Sequence, residues 1–273
     1  MIETKARISE VKKSQIPVVI FAGGMGTRFS EETELKPKPL ITIGEIPIIF
    51  HVMSIYSKYG YNDFIVCLGY KANEVKSWFL EYSQTRHDFQ LNLASNRIDV
   101  LRESGTNWTI KFIDTGLNTN TAGRLRKIRK YIEADYFLLT YADGLGNIDI
   151  DELIDQHLNS NKLVTMTTTN PIGRFGYARI ENGEVTQFDE KVSLDNLQIN
   201  SGFFVVSTQV FNLYKLEDTE SWEVGVLEKL TKENQLAAYE HKGFWKPMDT
   251  LRDKRELEEL IAEGSPPWLS TKE

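Results

Sequence analysis

The 273-residue chain has one cysteine, Cys67, and four histidines, and no apolar run approaches the roughly 18 residues that a membrane-spanning helix needs. A lone cysteine excludes a disulfide within the chain and a cysteine-rich zinc site. Cys67 lies inside the apolar run 64–68, which predicts a buried, inert thiol. The histidines, at 51, 87, 157 and 241, share no ligand spacing and read as structural or solvent-facing. Basic residues are outnumbered, 32 Lys and Arg against 39 Asp and Glu, for a net charge of −7. That balance argues against a nucleic-acid partner and against docking on an anionic membrane. The first fifteen residues carry Glu3, Lys5, Arg7, Glu10, Lys12 and Lys13 and no apolar core of a signal peptide, so the expected compartment is the cytoplasm. Repeats, low-complexity tracts and an obvious linker are also missing. We therefore expect one domain over residues 16–273, with residues 1–15 as an N-terminal extension.

What the chain does have is ample apolar material, 41% of residues, arranged as alternating short runs and amphipathic segments. Residues 17–21 are β-branched and wholly apolar and stop at Gly23-Gly24, the pattern of a strand buried on both faces. Residues 48–59 have helical spacing and end at Gly60. Strands are expected at 63–68, 108–114 and 136–141, with helices at 72–82 and 123–132 between them. In the last third, 163–169, 177–180, 185–189 and 202–206 read as strands, and 223–232 and 250–262 as helices. This order predicts a Rossmann-like α/β fold: a mixed, mostly parallel sheet with helices on both faces and a small β-rich portion. Ligands of such sheets bind beyond the carboxyl ends of the strands, so the residues after Phe21, Asp114 and Tyr141 are the first candidates.

The first strand runs into Ala22-Gly23-Gly24-Met25-Gly26-Thr27-Arg28-Phe29. Glycines there let the backbone approach a ligand and aim N–H groups at phosphate. A dinucleotide fingerprint requires a further glycine where Phe29 stands, and a P-loop requires a Gly-Lys pair that this sequence lacks. The third pattern, G-G-x-G-T-R followed by Pro-Lys-Pro, is present, with Lys36-Pro37-Lys38-Pro39 completing it. The prolines predict an extended segment at Lys38. Arg28 and Lys38 then bracket a glycine-lined hollow with two cations. Asp143 follows a strand and precedes Gly144, as either a ligand or a turn-capping residue does. Asp249 precedes a helix, as either a ligand or an N-cap does.

These motifs resemble the signature of the sugar-1-phosphate nucleotidylyltransferases, and within that superfamily the glucose-1-phosphate cytidylyltransferases. The resemblance extends through Asp114-Thr115-Gly116, Thr121-Ala122-Gly123-Arg124-Leu125, Gly173-Arg174-Phe175-Gly176, Ile199-Asn200-Ser201-Gly202-Phe203 and the segment from Phe244 to Lys254. It implies that Gly23, Gly24, Gly26 and Thr27 cradle a nucleoside triphosphate while Arg28 and Lys38 neutralise the leaving pyrophosphate as the catalytic cations. It further implies that Thr119 and Arg124 contact the nucleotide and that Asp143 and Asp249 hold Mg²⁺ together. Glu190, Lys191 and Asn200 would bind the sugar phosphate in the β-rich portion. The implied reaction joins CTP and α-D-glucose 1-phosphate to give CDP-glucose and pyrophosphate, in a homo-oligomeric enzyme. The attacking phosphate oxygen is already ionised, so no poised base is needed, and catalysis is positioning plus charge neutralisation. Ala122 stands where the family more often has glycine, and Val192 where it has proline. The same chemistry on dTTP or UTP, or on another sugar 1-phosphate, stays open, as does a non-catalytic nucleotide-sugar sensor.

Overall fold

The computed structural model describes residues 13–24, 36–102, 105–171, 177–189 and 197–270. Its centre is a seven-stranded sheet of β1 (Val18–Phe21), β2 (Asp63–Leu68), β3 (Thr109–Asp114), β4 (Tyr136–Tyr141), β5 (Val164–Thr169), β6 (Ile199–Ser207) and β7 (Leu236–Glu240), in the order β7-β5-β6-β4-β1-β2-β3. All neighbours are parallel except β6, which runs against both β4 and β5. The amino end of β6 therefore lies among the carboxyl ends of the others, with Asn200 opposite Thr168.

The four residues of β1 are all buried, because alternate side chains enter two separate cores. Val18 and Ile20 join Phe64, Val66, Leu138 and Phe203 on one face, under helices α1 (Ile48–Ser57), α2 (Ala72–Thr85), α4 (Ile150–Ser160) and α5 (Leu251–Ala262). Val19 and Phe21 join Ile65, Cys67, Leu139 and Phe204 on the other, under α3 (Thr121–Ile128) and the segment from Trp222 to Lys232. Cys67 is fully buried, and that burial pushes its thiol up to about 12, which bears out an inert thiol. His51 and His157 are buried in α1 and α4, His51 against Ile43 O and Trp268, His157 against Thr165. None of the described helices is long and apolar enough to cross a membrane.

Local chemistry explains the helix starts. Pro47, its φ fixed, precedes α1; Asn120 caps α3, Asp149 caps α4 through Glu152 N, and Thr250 with Asp253 forms a capping box on α5. The segment expected to be a plain helix at 223–232 opens instead as a π turn, Trp222–Leu227, and only Glu228–Lys232 is α-helical. Among the described residues four short antiparallel ribbons decorate the sheet: Thr42–Ile43 with Ile46–Pro47, Asp88–Asn92 with Arg97–Arg102, Tyr177–Glu181 with Glu184–Asp189, and Gly144–Gly146 with Trp245–Pro247.

Candidate active site

A cavity of about 630 Å³ opens at the carboxyl ends of β1 and β4, where the fold type places ligands. Phe21, Ala22, Gly23 and Gly24 form one wall, Leu117 to Thr121 a second, and Lys38, Tyr141 and Asp143 a third.

The two aspartates meet because of the ribbon whose one strand follows Asp143 and whose other strand precedes Asp249. Gly144 pairs with Pro247 and Gly146 with Trp245, so Asp143 and Asp249 emerge side by side from opposite strands. Met248 N donates to Asp143 O at 2.8 Å, and the Trp245 indole N–H donates to Ser201 O at 2.7 Å, pinning the ribbon to β6. The helix cap is Thr250, with Asp253 as its reciprocal partner, so Asp249 is released from the capping role open to it in the sequence.

Lys38 lies between the two. Its Nζ is 2.5 Å from Asp143 Oδ2 and 2.9 Å from Asp249 Oδ1, and its side chain is only 15% exposed. Burial alone lowers the ammonium's pKa, but the two carboxylates outweigh it and hold the pKa above its ordinary value, so the lysine is charged. The extended segment expected at Lys38 is a correction. Pro37 is extended, but Lys38–Leu40 form a 3₁₀ turn closed by Leu40 N to Pro37 O at 2.8 Å. Pro39 permits this, because the first turn of a helix does not use the N–H that proline lacks.

Arg124, on α3, is 4% exposed and lines the cavity. Its guanidinium is bonded within the protein: Nη1 donates to Leu68 O, Thr115 Oγ1 and Gly116 O, and Nη2 to Gly23 O at 3.0 Å. It braces the ends of β1, β2 and β3 at once. A Cβ at Gly23 would fall 2.2 Å from Arg124 Nη1, so the close approach itself requires glycine there. Thr119 also lines the cavity and accepts from Lys127 Nζ at 2.7 Å. Asn200 stands at the amino end of β6, its Oδ1 accepting from Gly202 N at 2.8 Å. Gly26, Thr27, Arg28, Glu190 and Lys191 lie outside the described residues.

The structure adds residues that the sequence did not single out. Tyr141 contributes to the cavity wall and donates to Glu223, which also accepts from Thr121 Oγ1 at 3.1 Å. Tyr141 could have been found as the last residue of a buried strand, whereas Glu223 carries no sequence signal.

Asp143 and Asp249 suit a hard divalent cation. Both donors are carboxylate oxygens, and one ammonium already bridges them as a stand-in charge. Among the described residues no group of three or more His, Cys, Asp or Glu gathers as a metal cage. Two carboxylates leave room for the waters and phosphate oxygens that Mg²⁺ retains.

Residues 17–262 match the model of the nucleotidyl transferase family. The chain belongs to that family. A glucose-1-phosphate cytidylyltransferase of Salmonella typhi is 44% identical over 251 residues, covering 92% of this chain and 97% of its own. A probable glucose-1-phosphate cytidylyltransferase of Bacillus subtilis is 40% identical over 250 residues, covering 92% and 98%. The fold is shared with HddC from Yersinia pseudotuberculosis, at a TM-score of 0.68 and 23% identity over 90% of this chain and 99% of that one. In this nucleotidyl transferase, the cavity thus sits where the fold, the glycine loop and the paired aspartates converge.

Proposed function

We propose that the chain is a glucose-1-phosphate cytidylyltransferase, which makes CDP-glucose and pyrophosphate from CTP and α-D-glucose 1-phosphate. The observation that carries this reading is the convergence of Lys38, Asp143 and Asp249 at a cavity walled by Gly23 and Gly24. The relatives' names supply the base and the sugar.

An oxygen of the sugar phosphate attacks the α-phosphorus of CTP. The new P–O bond forms as the bond to the bridging oxygen of the β-phosphate breaks, and pyrophosphate departs with that oxygen. Both reactants are polyanions, so the protein's task is to gather and align them. Gly23 and Gly24, with Gly26 and Thr27 beyond them, cradle the triphosphate. Lys38 and Arg28 neutralise the leaving group. Thr119 and Arg124 shape the nucleotide wall. Glu190, Lys191 and Asn200 receive the sugar phosphate. Mg²⁺, held by Asp143 and Asp249, supplies charge neutralisation on the reacting phosphates when bound. We further infer a homo-oligomer, which exposed apolar side chains on the Asp88–Arg102 region, such as Leu93 at 80% and Leu101 at 66%, support. Sedimentation velocity checks this.

The deciding assay measures pyrophosphate release with glucose 1-phosphate and Mg²⁺ from CTP, UTP, dTTP, ATP and GTP in turn. CTP is expected to be used fastest. UTP or dTTP outpacing CTP would reassign the base, and no release from any of the five would leave a nucleotide-sugar sensor.

A further inference from the structure

Lys127, on α3, sends its ammonium between two loops that wall the cavity. Its Nζ donates to Thr115 O at 2.9 Å and to Thr119 Oγ1 at 2.7 Å, both on the loop after β3. It also lies 3.1 Å from Asp218 Oδ2, on the loop that carries Thr219. Leu117 to Thr121 and Thr219 line the cavity. The main chain repeats the join, with Asn120 N donating to Asp218 O at 2.7 Å and Ala122 N to Glu220 O at 3.1 Å. Arg126 holds the other carboxylate oxygen of Asp218 at 2.5 Å, so two cations of α3 fix that loop. Thr119 is held by both branches of its side chain. Its methyl lies over Gly123, where an added Cβ would stand 2.8 Å from Cγ2, and its hydroxyl meets the ammonium. An ammonium donates and never accepts, so the Thr119 oxygen is the acceptor of that bond and its own hydrogen is left over. Among the described residues that hydrogen has no protein acceptor. Thr119 is 7% exposed and lines the cavity, whereas Lys127 does not line it.

We propose that Lys127 is a positioning residue for the nucleotide: it locks the Thr119 hydroxyl as a hydrogen-bond donor to an acceptor oxygen or ring nitrogen of the bound nucleoside. This rests on the assignment of Thr119 to the nucleotide made above. A hydroxyl without a fixed partner is free to donate or to accept, and ordering it costs binding energy. With the ammonium in place the choice is made before the ligand arrives. Lys127 meets no reacting phosphate, so its effect belongs in nucleotide binding and passes through Thr119.

Calorimetric titration with CTP and Mg²⁺ reads binding without turnover, and steady-state kinetics add the KM of each substrate. Lys127→Met keeps an apolar stem and removes the donor. It is expected to weaken CTP binding roughly five- to tenfold and to raise KM for CTP alike, with KM for glucose 1-phosphate within about twofold of wild type. Lys127→Arg, which also only donates, is expected to restore most of the affinity. Thr119→Val removes the hydroxyl and keeps the shape, and it is expected to weaken CTP binding by a similar factor. The double variant, Lys127→Met with Thr119→Val, should fall little below Thr119→Val alone, because the lysine works through that hydroxyl. CTP binding unchanged in Lys127→Met or in Thr119→Val overturns the proposal, as do fully additive losses, no rescue by Lys127→Arg, or equal rises in both KM values. Should Lys127→Met fail to fold, Thr119→Val and Lys127→Arg still decide it. A wild-type protein that binds CTP and releases no pyrophosphate overturns the transferase reading alone; one that binds none of the five nucleotides overturns both.

Discussion

Lys38, Asp143 and Asp249 come from positions 38, 143 and 249 of the chain and meet within 2.9 Å of one nitrogen. An ammonium so placed neutralises both carboxylates at the wall of the cavity proposed above for the triphosphate. Lys38→Ala, Asp143→Asn and Asp249→Asn are each expected to lower kcat/KM by roughly two to four orders of magnitude, about 3–5.5 kcal/mol of barrier. Initial rates of pyrophosphate release with saturating Mg²⁺ check this, and near-wild-type turnover by folded Lys38→Ala would remove the lysine from the mechanism. At this scale the sequence was informative where a residue type was constrained by its neighbours. Lys38 between two prolines, and glycines after a buried strand, pointed to the cavity. Asp249 was ambiguous because an aspartate before a helix is also a common cap, and only the Thr250–Asp253 box resolved it. Glu223 was invisible: a lone glutamate gains meaning only from the Tyr141 hydroxyl that packing brings to it.

The Gly144–Gly146 and Trp245–Pro247 ribbon is the element that assembles the acidic pair. Its fastening to β6 is the Trp245 indole bond to Ser201 O. Trp245→Phe removes that bond and keeps an aromatic ring. It is expected to cost about 1–2 kcal/mol of stability in urea unfolding and, by loosening Asp249, to lower kcat/KM roughly tenfold. An unchanged rate in a destabilised variant would separate the ribbon's fastening from catalysis. Elements of this kind were the least legible. The central strands announce themselves because burial on both faces demands continuous apolar runs such as 18–21 and 136–141. Three-residue strands leave no periodicity to read. The Asp88–Asn92 and Arg97–Arg102 ribbon was likewise missed, since its side chains are exposed or nearly so and no core selects them. Strand β7, five residues with two alanines, three of the five half-buried and two exposed, resembles a turn as much as a strand.

The stability of the whole molecule should carry the signature of its buried imidazoles. Burial lowers the pKa of His157 from 6.5 to about 4, and those of His51 and His241 shift in the same direction. The unfolded chain takes up these protons near pH 6.5, and the native state resists them. Stability is therefore fully present above pH 6.5 and declines as the pH falls toward 4, by roughly 3 kcal/mol for His157. Urea midpoints between pH 7 and 5 check the sign, and His157→Gln is expected to flatten the slope; a midpoint that does not fall would contradict the burial of these rings.

The guanidinium clamp also bears on how the family can vary. Three of the four oxygens that Arg124 grips are main-chain carbonyls, at Leu68, Gly116 and Gly23. Every amino acid supplies a carbonyl, so most side chains along the rim can drift without loosening the grip. The freedom stops at Gly23 and Gly69, where even a methyl group would collide with Arg124. A saturation library across the rim should thus return diverse survivors around two invariant glycines and one invariant arginine, a pattern that crowding alone already imposes.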